Sequence, residues 1–163
     1  MAISVKSITL WRRELQHRPG ALAESLAPLA DGGIDLQVLM AYRFPGDPDR
    51  GAVEAFPVSG RRATAAAERG GFSTFALPAL LVQGDNEPGL GSRMCRSIAD
   101  AGINLDFVVA QVTGGKYSAV FGFEQEEGAR QAVPLIKKAA APRLKGPKRS
   151  TRKTARKAAR NRR

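Results

Sequence analysis

The chain has 163 residues, 43% of them apolar, which is enough for one ordinary domain or two small ones. Its formal net charge is +11, but residues 143–163 carry 11 Lys and Arg and no acid, whereas residues 1–142 carry 15 residues of each sign. The larger part therefore gives no electrostatic reason to expect a nucleic-acid partner; the basic tail does.

The single cysteine, Cys95, excludes an internal disulfide and suits a reducing compartment. The first residues lack a basic start followed by a long apolar run, so they do not resemble a signal peptide. No apolar stretch approaches the about 20 residues that span a bilayer. We expect a soluble, cytoplasmic protein without a transmembrane segment.

The first half of the chain has the local signals of alternating strands and helices. In chain order the pattern predicts a strand over Ser4–Glu14, a helix over about Ala21–Asp31, strands over Leu36–Phe44 and Ala52–Val58, a helix over about Arg61–Arg69 and a strand over Phe72–Leu77. Pro-Gly precedes the first helix, whose Leu22, Leu26 and Leu29 share one face at helical spacing. We expect these three leucines in the core.

The second half repeats this order. The pattern predicts a strand over Ala79–Gln83, a helix over about Leu90–Ala101, strands over Leu105–Thr113 and Tyr117–Phe123, and a helix over about Gln125–Ala139. Leu90, Met94 and Ile98 form the buried stripe of its first helix. No convincing strand follows the last helix, so this copy is expected to lack its final strand.

The two halves match at a constant offset of 69 residues. His17-Arg18-Pro19-Gly20 matches Asn86-Glu87-Pro88-Gly89, and Gly33-Ile34-Asp35-Leu36 matches Gly102-Ile103-Asn104-Leu105. Shared helical periodicity alone would not give Pro-Gly and Gly-Ile at a fixed separation. The sequence therefore predicts an α+β protein of two ferredoxin-like βαββαβ modules, residues 1–77 and 78–141, each an antiparallel sheet with helices on one face.

The pattern of strand, Pro-Gly, amphipathic helix, Gly-Ile-Asn/Asp-Leu and strand resembles the ACT domain, in two copies over roughly residues 4–140. ACT domains are small-molecule regulatory modules, most often for amino acids. The resemblance implies that modules pair side by side and that effectors lie between the first strand, the Pro-Gly loop and the start of the second strand. In serine-sensing members, the positions of Asn86 and Asn104 contact the effector; His17 and Asp35 occupy them in the first copy. A histidine of that subgroup is missing from both copies, so serine is not supported as the ligand.

An amino-acid ligand also fits the residues themselves, because a helix N-terminus offers free N–H groups to a carboxylate, and Asp85 and Asn104 offer acceptors to an ammonium. The alternative is structural: Asn104 and Asp35 as turn residues, and Asn86 as a helix cap. The candidate ligand-binding residues are Asp85, Asn86, Pro88, Gly89, Leu90, Asn104 and Leu105 in the second copy, and His17, Gly20 and Asp35 in the first.

Little in the sequence suggests catalysis. The only histidine, His17, and the only cysteine lie in different repeats, and Cys95 is expected to be buried beside the apolar stripe of its helix. His, Cys and carboxylates do not cluster at metal-binding spacing, and Gly89-Leu90-Gly91 lacks the third glycine of a dinucleotide loop. We expect no enzyme activity, catalytic residue, cofactor or metal.

The tail, residues 142–163, has one large apolar residue and is expected to be disordered. Its cations predict contacts with phosphates, or equally with anionic lipid, through Lys148, Arg149, Arg152, Lys153, Arg156, Lys157, Arg160, Arg162 and Arg163. The favoured function is a non-catalytic sensor, expected to be a homodimer, that binds an amino acid at ACT interfaces. The alternatives are a nucleic-acid-associated protein in which the ACT pair is a dimerisation platform, and a structural pair without a ligand.

Overall fold

The computed structural model describes residues 3–141, which form eight strands and four helices. The strands are β1 (Ser4–Ile8), β2 (Trp11–Gln16), β3 (Val38–Arg43), β4 (Arg50–Phe56), β5 (Ser73–Thr74), β6 (Ala79–Asp85), β7 (Leu105–Thr113) and β8 (Lys116–Phe123). The helices are α1 (Ala21–Asp31), α2 (Arg61–Arg69), α3 (Leu90–Asp100) and α4 (Glu126–Ala139). None of these helices is long and apolar enough to cross a membrane.

The strands form two separate four-stranded antiparallel sheets, with the orders β3-β4-β2-β5 and β1-β6-β8-β7. Helices α1 and α2 pack on one face of the first sheet, and α3 and α4 on one face of the second. The predicted α+β class with helices on one face of each sheet is confirmed. The bounds of α1, α2 and β7 match those predicted; the strand expected over Phe72–Leu77 shortens to β5.

The prediction of one strand over Ser4–Glu14 is wrong, because the chain changes sheets within it. Ile8 at the end of β1 pairs with Ala79 of β6, whereas Trp11 at the start of β2 pairs with Ala55 of β4. Leu10 between them is fully buried in the layer where the two sheets meet. Two residues, 9 and 10, therefore carry the chain from the second sheet to the first.

This crossing supplies the strand that the second module was expected to lack. β1 pairs with β6 over its whole length, from Ser4 opposite Gln83 to Ile8 opposite Ala79. Val5 packs on the core beneath α3 and α4. The second sheet is thus completed by a segment that precedes the first module in the chain. The module bounds 1–77 and 78–141 stay predictions.

The helix faces follow the sequence closely in one copy and less closely in the other. Leu90, Met94 and Ile98 of α3 are buried, as predicted. In α1 the buried residues are Ala21, Ser25 and Leu29, and Leu22 is 40% exposed, so its assignment to the core is wrong. The buried face of α1 thus includes two small residues, Ala21 and Ser25, and the Ser25 hydroxyl is satisfied by donating to the Ala21 carbonyl at 2.8 Å.

The two sheets pack against each other through the faces that the helices leave uncovered. The buried apolar residues of this inter-sheet layer are Ile8, Leu10, Val38, Met40, Ala79, Leu81 and Val120. Both chain crossings, β1 to β2 and β5 to β6, lie at the same side of the stack. At the opposite side β3 and β7 end their sheets, and a cavity of about 170 Å³ lies between them.

Candidate functional site

The turn between β2 and α1 is the first candidate site. Gly20 caps α1 in the left-handed conformation, with φ of 87°, and no side chain caps the helix. A residue with a Cβ is strained there, which accounts for glycine after Pro19. The Gly20 carbonyl accepts from the Glu24 N–H at 3.0 Å and the Arg18 carbonyl from the Ala21 N–H at 3.2 Å, while the N–H groups of Leu22 and Ala23 have no intrahelical acceptor. This helix end can therefore receive an anion.

A cavity of about 310 Å³ opens beside this turn. It lies between the end of β2, the start of α1 and the Arg43 end of β3. Its lining combines basic residues with an apolar wall, and comprises Leu15, His17, Arg18, Gly20, Ala21, Leu22, Ala41, Tyr42, Arg43, Ala52 and Val53. The sequence indicated His17 and Gly20 here but missed Arg18, Leu22 and Arg43, since only the register shows which end of β3 reaches the turn.

The two arginines of this cavity differ in their surroundings. The Arg18 guanidinium donates to both Glu24 carboxylate oxygens, at 2.9 and 2.6 Å. This pair, which is exposed, holds the pKa of Arg18 above and the pKa of Glu24 below its ordinary value. Arg43 forms no ion pair or side-chain hydrogen bond with any residue from 3 to 141. Arg43 is therefore the cation free to bind a ligand carboxylate.

Asp35, the other candidate of the first module, does not meet His17. The backbone N–H of His17 donates to the Asp49 carbonyl, which lies beside the start of β4. Two residues after Asp35, the backbone N–H of Gln37 donates to the Phe56 carbonyl at the end of β4. A strand of this length separates the two ends by roughly 20 Å. Asp35 instead borders a second, more open cavity between Gly32 and the start of α2.

In the second module, the side chains of two candidate residues, Asp85 and Asn104, already have partners. Asp85 forms an ion pair with Lys116 across the β6–β8 pair. The backbone N–H of Asn86 donates to Gly115 at 2.8 Å, and the Asn104 amide donates to the Glu124 carboxylate at 2.9 Å. Because these last two partners, Gly115 and Glu124, flank the two ends of β8, Asn86 and Asn104 are separated by roughly 30 Å within one chain.

The Pro-Gly turn of the second module is tied to the end of the described chain. Gly89 repeats the left-handed cap, with φ of 80°, and Leu90 beyond it is a core residue. Arg93, one turn into α3, forms an ion pair with Glu87 and donates to the Pro88 carbonyl at 3.4 Å. Its Nε also donates to the carbonyl of Ala139 at 3.1 Å. One guanidinium thus joins the turn to the last residue of α4.

Three further predictions concern single groups or the tail. Cys95 is exposed, so its expected burial is wrong; the apolar stripe of α3 lies one residue away, at Met94. Among residues 3–141 no group of three or more His, Cys, Asp and Glu side chains could hold a metal ion. The polyanion contacts predicted for Lys148–Arg163 lie outside the described residues.

No protein-family model and no curated protein matches the sequence. Among solved structures, the chain is similar to a protein from Bacteroides thetaiotaomicron, with 15% identity and a TM-score of 0.67 over 82% of this chain and 89% of that one. It is also similar to the ligand-free regulatory subunit of aspartate kinase from Thermus thermophilus, with 16% identity and a TM-score of 0.58 over 86% of this chain and 97% of that one. The regulatory subunit of aspartate kinase from Thermus flavus is 18% identical to this chain, with a TM-score of 0.54 over 85% of this chain and 97% of that one. The chain therefore has the fold of paired ACT-type regulatory modules.

Proposed function

We propose that this protein is a non-catalytic regulatory protein that binds an amino acid at its ACT-type modules. The observation that carries the proposal is the cavity beside the Pro19-Gly20 turn, where a helix N-terminus, an apolar wall and Arg43, which has no ion-pair partner among residues 3–141, meet. A carboxylate can bind at the first two, and a side chain can lie against the third. The fold shared with regulatory subunits of aspartate kinase supports the same class of function.

We further propose that a second copy of the chain completes each site. β3 and β7 end their sheets, and neither is hydrogen-bonded to the other within the chain. Their free edges expose Leu39, Val108, Val109 and Val112, between 39% and 52% of each side chain. Long apolar edge strands of this kind favour pairing with another strand.

The register explains why such pairing would matter. A two-fold axis makes identical edge strands run antiparallel, so the start of one β3 lies beside the end of the other. Asp35 of the second copy then reaches the Arg43 end of β3, at the mouth of the first cavity. The same operation on β7 brings Asn104 of the second copy towards Asn86. Dimerisation thus unites residues that one chain holds roughly 20–30 Å apart.

The experiment is a thermal-shift measurement on the full chain with each of the twenty amino acids, combined with light scattering to determine the mass in solution. We expect a dimer whose Tm rises with the logarithm of the concentration of at least one amino acid. A Val109→Lys variant of the β7 edge should reduce dimerisation and the response together, and Ala99→Lys, an exposed site on α3, should change neither. A monomer that responds to no amino acid would overturn the proposal.

A further inference from the structure

We infer that the first module selects an α-amino acid with an apolar side chain, and that Arg43 binds its carboxylate. This inference rests on the proposed function and adds the ligand class of one of its sites. It comes from the residues that line the cavity beside the Pro19-Gly20 turn, whose volume of about 310 Å³ lies at the small end of ligand pockets and suits a molecule of amino-acid size.

The charge of the lining has one sign. The charged residues of the lining are Arg18 and Arg43, and it contains no acidic side chain. The charge of Arg18 is balanced by Glu24, which leaves Arg43 as the strong donor without a partner among residues 3–141. A carboxylate is attracted by this arrangement, whereas a lysine or arginine side chain entering the same space would be repelled.

The wall opposite the charges is apolar. Leu15, Leu22 and Val53 line it, and Leu22 is 40% exposed although its neighbours at the same helical spacing pack into the core. A ligand with an aliphatic body would cover this surface and remove it from water, which favours binding. A polar side chain would lose its hydrogen bonds to water against the same wall. The cavity therefore favours leucine-like over serine-like ligands.

The ammonium group distinguishes an amino acid from the corresponding 2-oxo acid. Within one chain, the cavity lining offers no carboxylate to the ammonium group of a ligand. Two-fold pairing of β3 with β3 of a second copy would bring Asp35 of that copy to the mouth of the cavity. The equivalent position of the second module is the neutral Asn104. The two sites of the protein should consequently differ in specificity, and the charged first site should depend on the ammonium more strongly.

The test is titration calorimetry on the full chain with leucine, serine, lysine and 4-methyl-2-oxopentanoate. We expect leucine to bind more tightly than serine by roughly tenfold and lysine to bind more weakly still. Arg43→Gln should weaken leucine binding by about tenfold to hundredfold, and Arg69→Gln, another exposed arginine of the same module, should leave it unchanged. Asp35→Asn should weaken leucine but leave the oxo acid unaffected.

A near-isosteric variant separates side-chain selection from folding. Leu22→Asn changes an exposed position, so the protein should stay folded, and the preference for leucine over serine should disappear. Preferential binding of lysine or serine, or leucine binding that survives Arg43→Gln, would overturn the inference and leave the proposed function standing. Binding of no amino acid in either assay would overturn both.

Discussion

Tyr42 donates a hydrogen bond of 2.6 Å to Glu54, whose side chain is fully buried between the two sheets. The other Glu54 carboxylate oxygen, Oε2, is buried and accepts no hydrogen bond from residues 3–141. Arg12 stands opposite Glu54 on β2 and lies over the rings of Phe44 and Phe75, at 5.2 and 4.5 Å. Among residues 3–141, the Tyr42 hydroxyl is thus the one hydrogen-bond donor to the Glu54 carboxylate, and the ion pair of Arg12 is with Glu14 instead.

Loss of the Tyr42 hydroxyl should be costly. In Tyr42→Phe the remaining acceptor of Glu54 stays buried without its donor, so we expect the free energy of unfolding to fall by about 1–3 kcal/mol. Urea denaturation measures this loss. Tyr117→Phe is the matched control, because Tyr117 is buried but its hydroxyl makes no hydrogen bond to the described residues. A larger loss in the control would contradict the role of the Tyr42–Glu54 pair.

The same tyrosine should make the protein sensitive to alkali. Burial, followed by the hydrogen bond and charge of Glu54, raises the pKa of Tyr42 in the folded state. Above the unfolded pKa of about 10, the unfolded chain releases this proton more readily than the folded one, so the contribution is full below that pH and is lost as pH rises further. We expect Tm to fall as pH rises above about 10, and less steeply in Tyr42→Phe. Parallel curves for the two proteins would refute this assignment.

Two glycines should respond to alanine in opposite directions. A Cβ at Gly122 would lie 2.4 Å from Cε1 of Phe107 and 2.9 Å from Leu77, so Gly122→Ala should destabilise by about 1–3 kcal/mol. A Cβ at Gly91 would meet only the Tyr117 hydroxyl, at 3.8 Å, within helix α3. Gly91→Ala should therefore stabilise by about 0.5–1 kcal/mol. Denaturation of both variants checks the pair, and the same sign for both would count against the packing described.

Arg93 should govern the stability of the end of α4. Arg93→Met keeps most of the side-chain volume but removes the donors to Pro88 and Ala139, and we expect a loss of about 1–2 kcal/mol. Hydrogen exchange of the Ala140 amide, which closes the last turn of α4, should accelerate. Arg96→Met on the exposed side of α3 is the control. Equal effects of both variants would show that the contact with Ala139 contributes little.

Most elements were predictable because residues that start or end a helix or a turn mark their boundaries in the sequence. Pro-Gly before α1 and α3, glycine shortly after each of these helices and Gly114-Gly115 between β7 and β8 define the boundaries locally. The crossing at residues 9 and 10 has no such signal: Ile8-Thr9-Leu10-Trp11 contains neither Gly nor Pro and is typical of a continuous strand. Only the pairing partners, tens of residues away, distinguish β1 from β2.

The candidate site was predictable in position but not in composition. The repeat located both Pro-Gly turns, because glycine is required where φ is positive. It could not show that His17 and Asp35 lie at opposite ends of β4, or that Arg43 reaches the turn, because strand register depends on long-range hydrogen bonds. The exposure of Leu22 was unpredictable for a related reason. Helical spacing groups Leu22, Leu26 and Leu29 on one face, but it does not show that the small residue Ser25 is buried against the sheet.

Because β1 pairs with β6, the second module in space includes a strand that lies in the first half of the sequence repeat. A chain divided between Leu77 and Pro78 would leave the second half with a bare β6 edge and the first half with an orphan strand at its start. Relative to the first module, the second module is circularly permuted, because its last strand, β1, comes first in the chain. Moving Ser4–Ile8 behind α4 through a short linker would restore a colinear unit. In the natural chain order, the second module therefore depends on a segment that lies N-terminal to the first.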